Sequence, residues 1–494
     1  MSGAILLATI NAKWIHPSLA LRLLKANLGG LESRCDIIEF ALRQPLREKI
    51  DPILAAQPRI LGLSVSVWNH AATLELLEEL WAAWETGGGR PCVVLGGPEV
   101  SYLPSGAELF RYADYCIAGE GEIAFRQLCE AIYSDGNAKN APGSDRIACL
   151  EDGKVFSETR ENFSAFFPSR ELQVADVTRI ESGCRLYTDE DLRKKLVYVE
   201  ASRGCPFSCE FCLSAGSSPV REFPLEPFFA EMDGLIDRGA RTIKFLDRTF
   251  NANIDRARAI MEYFLGRIGQ GASLVVHFEM VPSRFPPELM ETAARFPPGT
   301  LRLEIGVQTL NPEVSARISR PSKPEQELAA IRRLRETTGA IIHADLIAGL
   351  PGEDMASFGR GFGLLWEALS PPSANSPRCE IQLGILKLLP GAPIARHSTA
   401  FGMRYNPSPP YELMESAAMP MHDLDRIKNF ARFWEIVVNR GLIDVGTAFG
   451  AAKGAVPVFD RFMALSDSLF TRFGRNWGIA KNDLMEVLRE KYTA

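Results

Sequence analysis

The sequence predicts an α/β protein built as a doubly wound parallel sheet, a run of six βα units and a helical region. Three observations carry this. Over residues 1–135 short apolar runs alternate with amphipathic stretches. From 196 to 390 six more apolar runs recur, most of them separated by helical stretches. Beyond 391 apolar residues fall at helical spacing. A chain of 494 residues exceeds one ordinary core, so several domains are expected.

In the first region the runs 4–10, 36–41, 60–67, 92–95 and 115–118 read as buried strands. Between them, 74–81 shows the clearest helical spacing. Alternating βα units predict a parallel sheet with a ligand crevice at the strands' C-terminal ends. The loops at those ends are unusual. Ser64, Ser66, Trp68 and Asn69 close the third strand, Gly96-Gly97-Pro98-Glu99 the fourth, and Gly119-Glu120-Gly121-Glu122 the fifth. Glycines there let backbone approach a bulky ligand, and helix-start N–H groups suit a phosphate. A plain Gly-Gly-Pro turn is the competing reading. No G-x-G-x-x-G opens the first helix, which argues against a dinucleotide.

Residues 136–195 read as a linker, turn-rich over 135–145. A small hairpin is expected from 147–150 and 154–157 around Asp152-Gly153. Phe163, Phe166 and Phe167 are expected to clamp the linker onto a neighbour.

At the end of the next apolar run stands Arg203-Gly204-Cys205-Pro206-Phe207-Ser208-Cys209-Glu210-Phe211-Cys212. Thiolates spaced C-x3-C-x2-C on a loop can converge on one soft metal centre. A structural zinc site takes four closed ligands; three cysteines leave one position open. Three unrelated thiols, or a zinc site completed by Cys184, are the competing readings.

This run resembles the signature of the radical S-adenosylmethionine (SAM) superfamily, in which such cysteines hold a [4Fe-4S] cluster. Gly204, Pro206 and the aromatic Phe211 before Cys212 share the likeness. The resemblance implies that 196–390 forms an open partial (β/α)6 barrel with its chemistry at the strand C-termini. It implies that Cys205, Cys209 and Cys212 hold the cluster and that Asp247 takes the SAM amino group. A helix N-cap is the plain alternative for Asp247. Glu304 and Gln308, inside a buried strand, need partners, and SAM ribose hydroxyls or the methionyl end would serve. Gly349 belongs to a stretch like the superfamily's G-x-I-x-G near adenine, with Asp345 replacing the first glycine. His277, Glu279 and His343 either face the barrel lumen and meet substrate or serve as hydrogen-bonded structure.

Placed before that signature, the first region resembles the Rossmann-like cobalamin-binding domain of cobalamin-dependent radical SAM proteins. The likeness implies that Ser64, Ser66, Trp68, Asn69, Gly96, Gly97, Pro98, Glu99, Gly119, Glu120, Gly121 and Glu122 line cobalamin. The D-x-H-x-x-G element of mutase-type domains is absent; Trp14 stands where its Asp would be, and His16 is expected to cap or pack. Cobalamin is therefore expected base-off, without histidine ligation. Helices are expected over 411–418, 424–439 and 484–492, with Phe430, Phe433, Trp434 and Val437 as a core stripe. The whole resembles a subgroup of unassigned substrate with an added C-terminal domain over 391–494.

A net charge of −6 argues against a nucleic-acid partner. No apolar run reaches the roughly 18–20 residues of a membrane span, and the start lacks a basic signal-peptide region. Seven of the ten cysteines are scattered singly, which suits a reducing cytoplasm. The resemblance implies a radical SAM enzyme that moves a methyl group to an unactivated carbon of a small molecule or peptide. It also implies a flavodoxin- or ferredoxin-type electron donor. Two other expectations stand beside it: a radical rearrangement or oxidation with cobalamin as redox cofactor, and a non-catalytic cobalamin and iron–sulfur sensor.

Overall fold

The computed structural model describes residues 4–87, 89–104, 106–134, 146–151, 154–159, 174–214, 219–371, 376–442 and 456–492. The turn-rich stretch 135–145, the Asp152-Gly153 turn and the expected clamp Phe163, Phe166 and Phe167 lie outside the described residues. The chain divides into two compact units: Met1–Arg203 with Ser217–Leu246, and Gly204–Gly216 with Asp247–Ala494.

The first unit is built on a seven-stranded sheet of order β2-β1-β3-β4-β5-β6-β7. Its strands are β1 (Ile5–Asn11), β2 (Cys35–Ala41), β3 (Ile60–Ser64), β4 (Cys92–Gly96), β5 (Tyr115–Ile117), β6 (Arg146–Glu151) and β7 (Lys154–Thr159). All pairings from β2 to β6 are parallel, and β7 returns antiparallel to β6. The hairpin expected within the linker thus extends this sheet, Ala148 pairing with Tyr115. The first strands are apolar runs because both faces are covered. Leu6, Leu63 and Leu95 point into one core with the helix His70–Gly87, while Leu7, Ile60 and Val94 point into another with Leu21 and Phe125. Strand order reverses at β1, between β2 on one side and β3 on the other. That switch point is where an open α/β sheet leaves its crevice, and the loops after β1, β3 and β4 end there. The same unit holds the parallel pair β8 (Val197–Val199) and β11 (Thr242–Phe245), and the short antiparallel pair β9 (Ser202–Arg203) and β10 (Arg221–Glu222).

The second unit carries four parallel strands: β12 (Val275–Met280), β13 (Leu301–Gln308), β14 (Ile341–Ala348) and β15 (Glu380–Ile385). Alternation sorts their side chains. Phe278, Leu303, Ile305, Ile342 and Ile381 are buried on one face; His277, Glu279, Arg302, Glu304, His343, Asp345 and Glu380 alternate with them on the other. The helices Met421–Trp434 and Val458–Phe473 pack through an aromatic cluster, with Phe430, Trp434 and Phe462 centroids 4.8–5.7 Å apart.

One expected helix is absent. Leu413–Glu415, within 411–418, is a strand, antiparallel to Arg404–Tyr405. Its backbone is claimed by its neighbours, Leu413 N–H donating to Leu386 O (2.8 Å) and Leu388 N–H to Tyr411 O (3.0 Å). Tyr411 at φ +59° also cannot begin a right-handed helix. Among the described residues no helix is long and apolar enough to cross a membrane.

Candidate functional site

The cysteine loop lies in the second unit. Gly204 opens it at φ +94°, a conformation that favours glycine. Cys212 N–H donates to Cys209 O (3.0 Å), a tight turn that brings the second and third cysteines onto one short arc. None of Cys205, Cys209 and Cys212 is in a disulfide. Cys205 Sγ lies 3.5 Å from Thr249 Oγ1, Ser214 N–H donates to Cys212 Sγ (3.4 Å), and Arg320 Nη1 donates to Cys209 Sγ (3.3 Å). Burial pushes the Cys209 thiol up, against the pull of the Arg320 charge and hydrogen bond. A guanidinium aimed at a buried sulfur suits a thiolate or metal-bound sulfur, since a neutral thiol is a weak acceptor.

Glu210, between two of the cysteines, is buried and turned inward. It accepts from Ser319 Oγ (2.5 Å) and from Arg396, and His397 Nε2 lies 2.8 Å from its other oxygen. Backbone bonds reinforce the latch: Glu210 N–H to Ile318 O (3.1 Å) and Ile394 N–H to Glu210 O (2.9 Å). Three thiols on a loop held this way fit a cluster that takes one thiolate at each of three irons. Among the described residues no group of three or more His, Cys, Asp or Glu, these cysteines included, stands close enough to hold a single ion. Cys184 is buried in the first unit, where burial raises its thiol to about 12.

The other residues singled out for SAM fall in the same unit. Asp247 is buried, and Phe211 is half-buried beside Cys212. Gln308 stands at a bulge between β13 and β14 with φ +69°, a strained setting for a non-glycine residue. Glu304 Oε2 lies 3.2 Å from His277 Nε2. Gly349 has φ +86°, and a side chain there would strike Leu413, so its glycine is also a packing requirement. Glu353, four residues on, bonds to Thr309 Oγ1 (2.7 Å), and burial pushes its carboxyl up to about 7.

In the first unit the strand-end loops come together by internal bonding. Asn69 is fully buried: its Nδ2 donates to Ile10 O (2.9 Å), and its Oδ1 accepts from Ser66 N–H (2.7 Å). Gly97 sits at φ +105°, where a Cβ would lie 2.5 Å from Val65 O, so the loops after β3 and β4 touch backbone to backbone. Glu99 is buried against His70 Nδ1 at 2.7 Å. Gly119 N–H donates to Ser101 Oγ (3.0 Å). Trp68, by contrast, is 53% exposed, and Ser64, Pro98 and Gly96 line the same strand ends. His16 Nδ1 lies 2.8 Å from Tyr198 Oη, and burial, aided by Lys13 and Lys244, lowers its pKa.

Glu120 and Glu122 meet an arginine pair. Arg203 contacts Glu122 (2.6 Å), Glu200 (2.5 Å) and Glu120 (3.3 Å), while Arg221 contacts Glu120 (2.5 Å). Burial works against the charge on Glu120, but the bonds from Arg221 and Ala175 N–H prevail and hold it below the usual carboxylate range. Arg203 is two residues before Cys205 in the chain. Sequence reasoning missed Arg203, Arg221, Thr249, Arg320 and the Glu210 latch. Only Glu210, set inside the cysteine spacing, carried a signal.

Two family descriptions match: "Radical SAM superfamily" over residues 199–360 and "B12 binding domain" over 5–129. Among curated proteins, the chain is 25% identical over 363 residues to the cobalamin-dependent radical SAM methyltransferase TokK of Streptomyces tokunonensis, covering 71% of this chain and 50% of that one. It is 26% identical over 348 residues to the 2-(S-pantetheinyl)-carbapenam-3-carboxylate methyltransferase of Streptantibioticus cattleyicolor, covering 68% and 48%. The chain thus spans about half the length of these curated relatives. Among solved structures, the radical SAM methyltransferase TsrM from Kitasatospora setae, with cobalamin and a [4Fe-4S] cluster, superposes with a TM-score of 0.58 at 19% identity, over 83% of this chain and 78% of that one. The cobalamin-dependent SAM radical enzyme OxsB gives 0.61 at 14% identity, over 99% and 75%. At these identities the superpositions establish the fold.

Proposed function

This chain is a radical SAM superfamily protein with a B12-binding domain, and from that premise we propose that it is a cobalamin-dependent radical SAM methyltransferase acting on an unactivated carbon. Its two domain matches imply three cofactors: a [4Fe-4S] cluster, SAM and cobalamin. The observation that carries the reading is the cysteine loop, with three unbridged thiols, a guanidinium on Cys209 and the Glu210 latch beneath.

Cys205, Cys209 and Cys212 would hold the cluster, with Arg320, Thr249 and Ser214 N–H around the sulfurs. Phe211, Asp247, Glu304, Gln308 and Gly349 are the candidates for SAM. Cobalamin would rest on the loops of Ser64, Ser66 and Trp68, Gly96–Glu99 and Gly119–Glu122. Asn69, Glu99, Glu120 and Glu122 act there through the scaffold, because their side chains bond within the protein. When bound, these groups supply a 5′-deoxyadenosyl radical for hydrogen abstraction and a methyl group for the resulting carbon centre. The chain's own part is to orient each group on its own set of residues and keep water out. The proposed partners are a small-molecule or peptide substrate and a flavodoxin- or ferredoxin-type donor, in the cytoplasm. The proposed domain limits stay near 135, 195 and 390.

Anaerobic product analysis of the reconstituted protein with SAM, cobalamin and a strong reductant tests this. S-adenosylhomocysteine formed together with 5′-deoxyadenosine supports methyl transfer. Deoxyadenosine alone favours the non-methylating radical reaction. Retention of both cofactors without SAM cleavage favours a sensor.

A further inference from the structure

Two segments distant in sequence close on the cysteine loop, and both are basic. Glu210 marks where they meet. Its backbone N–H donates to Ile318 O (3.1 Å) and its carboxylate accepts from Ser319 Oγ (2.5 Å), which docks the turn 315–323. From the second segment, Ile394 N–H donates to Glu210 O (2.9 Å), and Arg396 and His397 reach the same carboxylate. The segments also touch each other. The Arg317 guanidinium lies 4.7 Å from the centre of the Phe401 ring, which stands 5.9 Å from the His397 ring. Arg320 N–H donates to Ser315 O (3.0 Å) and closes the turn on itself. The loop's own Pro206 and Ser208 are exposed.

Charge on these segments is one-sided. Residues 315–323 and 391–401 contain Arg317, Arg320, Lys323 and Arg396 and no Asp or Glu, on a chain whose net charge is −6. The cysteine loop adds one carboxylate, Glu210, and it is turned inward with 4% of its side chain exposed. Lys323 is exposed, and Arg396 keeps 63% of its side chain in solvent even as it bonds to Glu210. The nearest acidic residues flanking the turn, Glu313 and Glu325, lie beyond its two ends. Arg317 and Arg320 use donors within the protein, on Pro351 O, Gly306 O and Cys209 Sγ. They therefore supply field rather than a cradle for a small anion. A basic patch on an acidic chain attracts and orients an acidic macromolecule. Its place against the cysteine loop says what that partner must reach.

We infer that residues 315–323 and 391–401 form the docking face for an acidic electron-carrier protein of flavodoxin type, with Lys323 and Arg396 as its exposed contacts. The step is a single electron transfer. The reduced carrier is oxidised by one electron as the cluster on Cys205, Cys209 and Cys212 is reduced by one, and no bond forms or breaks. The inference rests on the proposed function in taking that loop to hold a cluster.

The probe is a flavodoxin, dye-labelled for fluorescence anisotropy when oxidised and used as its hydroquinone in anaerobic stopped flow. With the full-length, cluster-loaded protein the expected result is saturable binding that weakens as salt is raised, and bleaching of the cluster absorbance on mixing. In Lys323→Glu/Arg396→Gln, affinity and bimolecular reduction rate should both fall by about tenfold or more, at unchanged iron content. Reduced methyl viologen, a cation too small to need a docking face, should bleach the variant's cluster as fast as before. Lys323→Glu alone, outside the bonds to Glu210, should still lower both by about threefold. No binding, binding indifferent to salt and to both variants, or equal slowing with methyl viologen would overturn the inference. Anisotropy needs neither cluster nor SAM cleavage. Flavodoxin bound through these residues by a protein that assembles no cluster would refute the cluster reading and leave the docking face standing. A cluster reduced through this face without SAM cleavage would refute the methyltransferase reading alone.

Discussion

The cysteine loop of the second unit and the strand-end loops of the first are built on opposite principles. In the cysteine loop the side chains that suit a cofactor are left unbridged, and a neighbouring carboxylate is turned inward to hold them. In the strand-end loops the polar side chains are consumed by the protein itself. Asn69 fastens β1 to the loop after β3, Glu99 meets His70, and Glu120 and Glu122 neutralise Arg203 and Arg221. What those loops can offer a ligand is backbone, small residues and the ring of Trp68. The difference teaches that a metal cluster demands particular ligand atoms, whereas a large planar cofactor demands a shaped floor.

The largest expected effect falls where one atom matters. Cys209→Ala should abolish deoxyadenosine formation, a loss of about a thousandfold or more, and leave cobalamin binding within a factor of about two. Chromatographic quantitation of deoxyadenosine and cobalamin absorbance together check this. Loss of both cofactors would erase the contrast between the regions. In the strand-end loops, Arg203→Met should act through the scaffold: removing one guanidinium takes an ion-pair partner from the buried Glu122 and from Glu200. Cobalamin affinity should weaken by about tenfold, read by fluorescence quenching, with thermal stability lowered as well. Gly97→Ala tests backbone shape itself, because the added methyl meets Val65 backbone at positive φ. A cost of about 2 kcal/mol in stability is expected, with weaker cobalamin binding and normal iron content, measurable by denaturation and metal analysis.

The smallest effect is a pH dependence. Glu353 has a native-state pKa near 7, raised by burial from 4.5. The native state therefore holds a proton that the unfolded chain has released between about pH 4.5 and 7, and stability falls as pH rises through that window. Glu353→Gln should flatten that fall, gaining about 1–2 kcal/mol at pH 8 and nothing at pH 4. Urea denaturation at both pH values checks it; an equal gain at both would assign the change to packing instead.

How much of this was legible in the sequence follows the same division. The buried strands were readable because parallel strands covered on both faces are uninterrupted apolar runs. The cysteines were readable because few chemistries explain their spacing. Arg203, Arg221 and Arg320 were not, since a paired arginine looks like a surface arginine until the fold brings its carboxylates or sulfur to it. The strand at Leu413–Glu415 was misread as a helix for a related reason: its apolar spacing is compatible with either, and its partner at Leu386 lies far along the chain. His277 and His343 were half legible, since alternation put both histidines in strands, but only the fold reveals that their rings stack.

The central claim is that two separate residue sets hold two cofactors on one chain, and metal stoichiometry tests it most directly. Iron and cobalt would be measured per chain in the reconstituted protein and in Cys205→Ala/Cys209→Ala/Cys212→Ala. The account predicts about four irons and one cobalt in the first, and cobalt without iron in the second. Iron retained without the three cysteines, or cobalt lost with them, would contradict it.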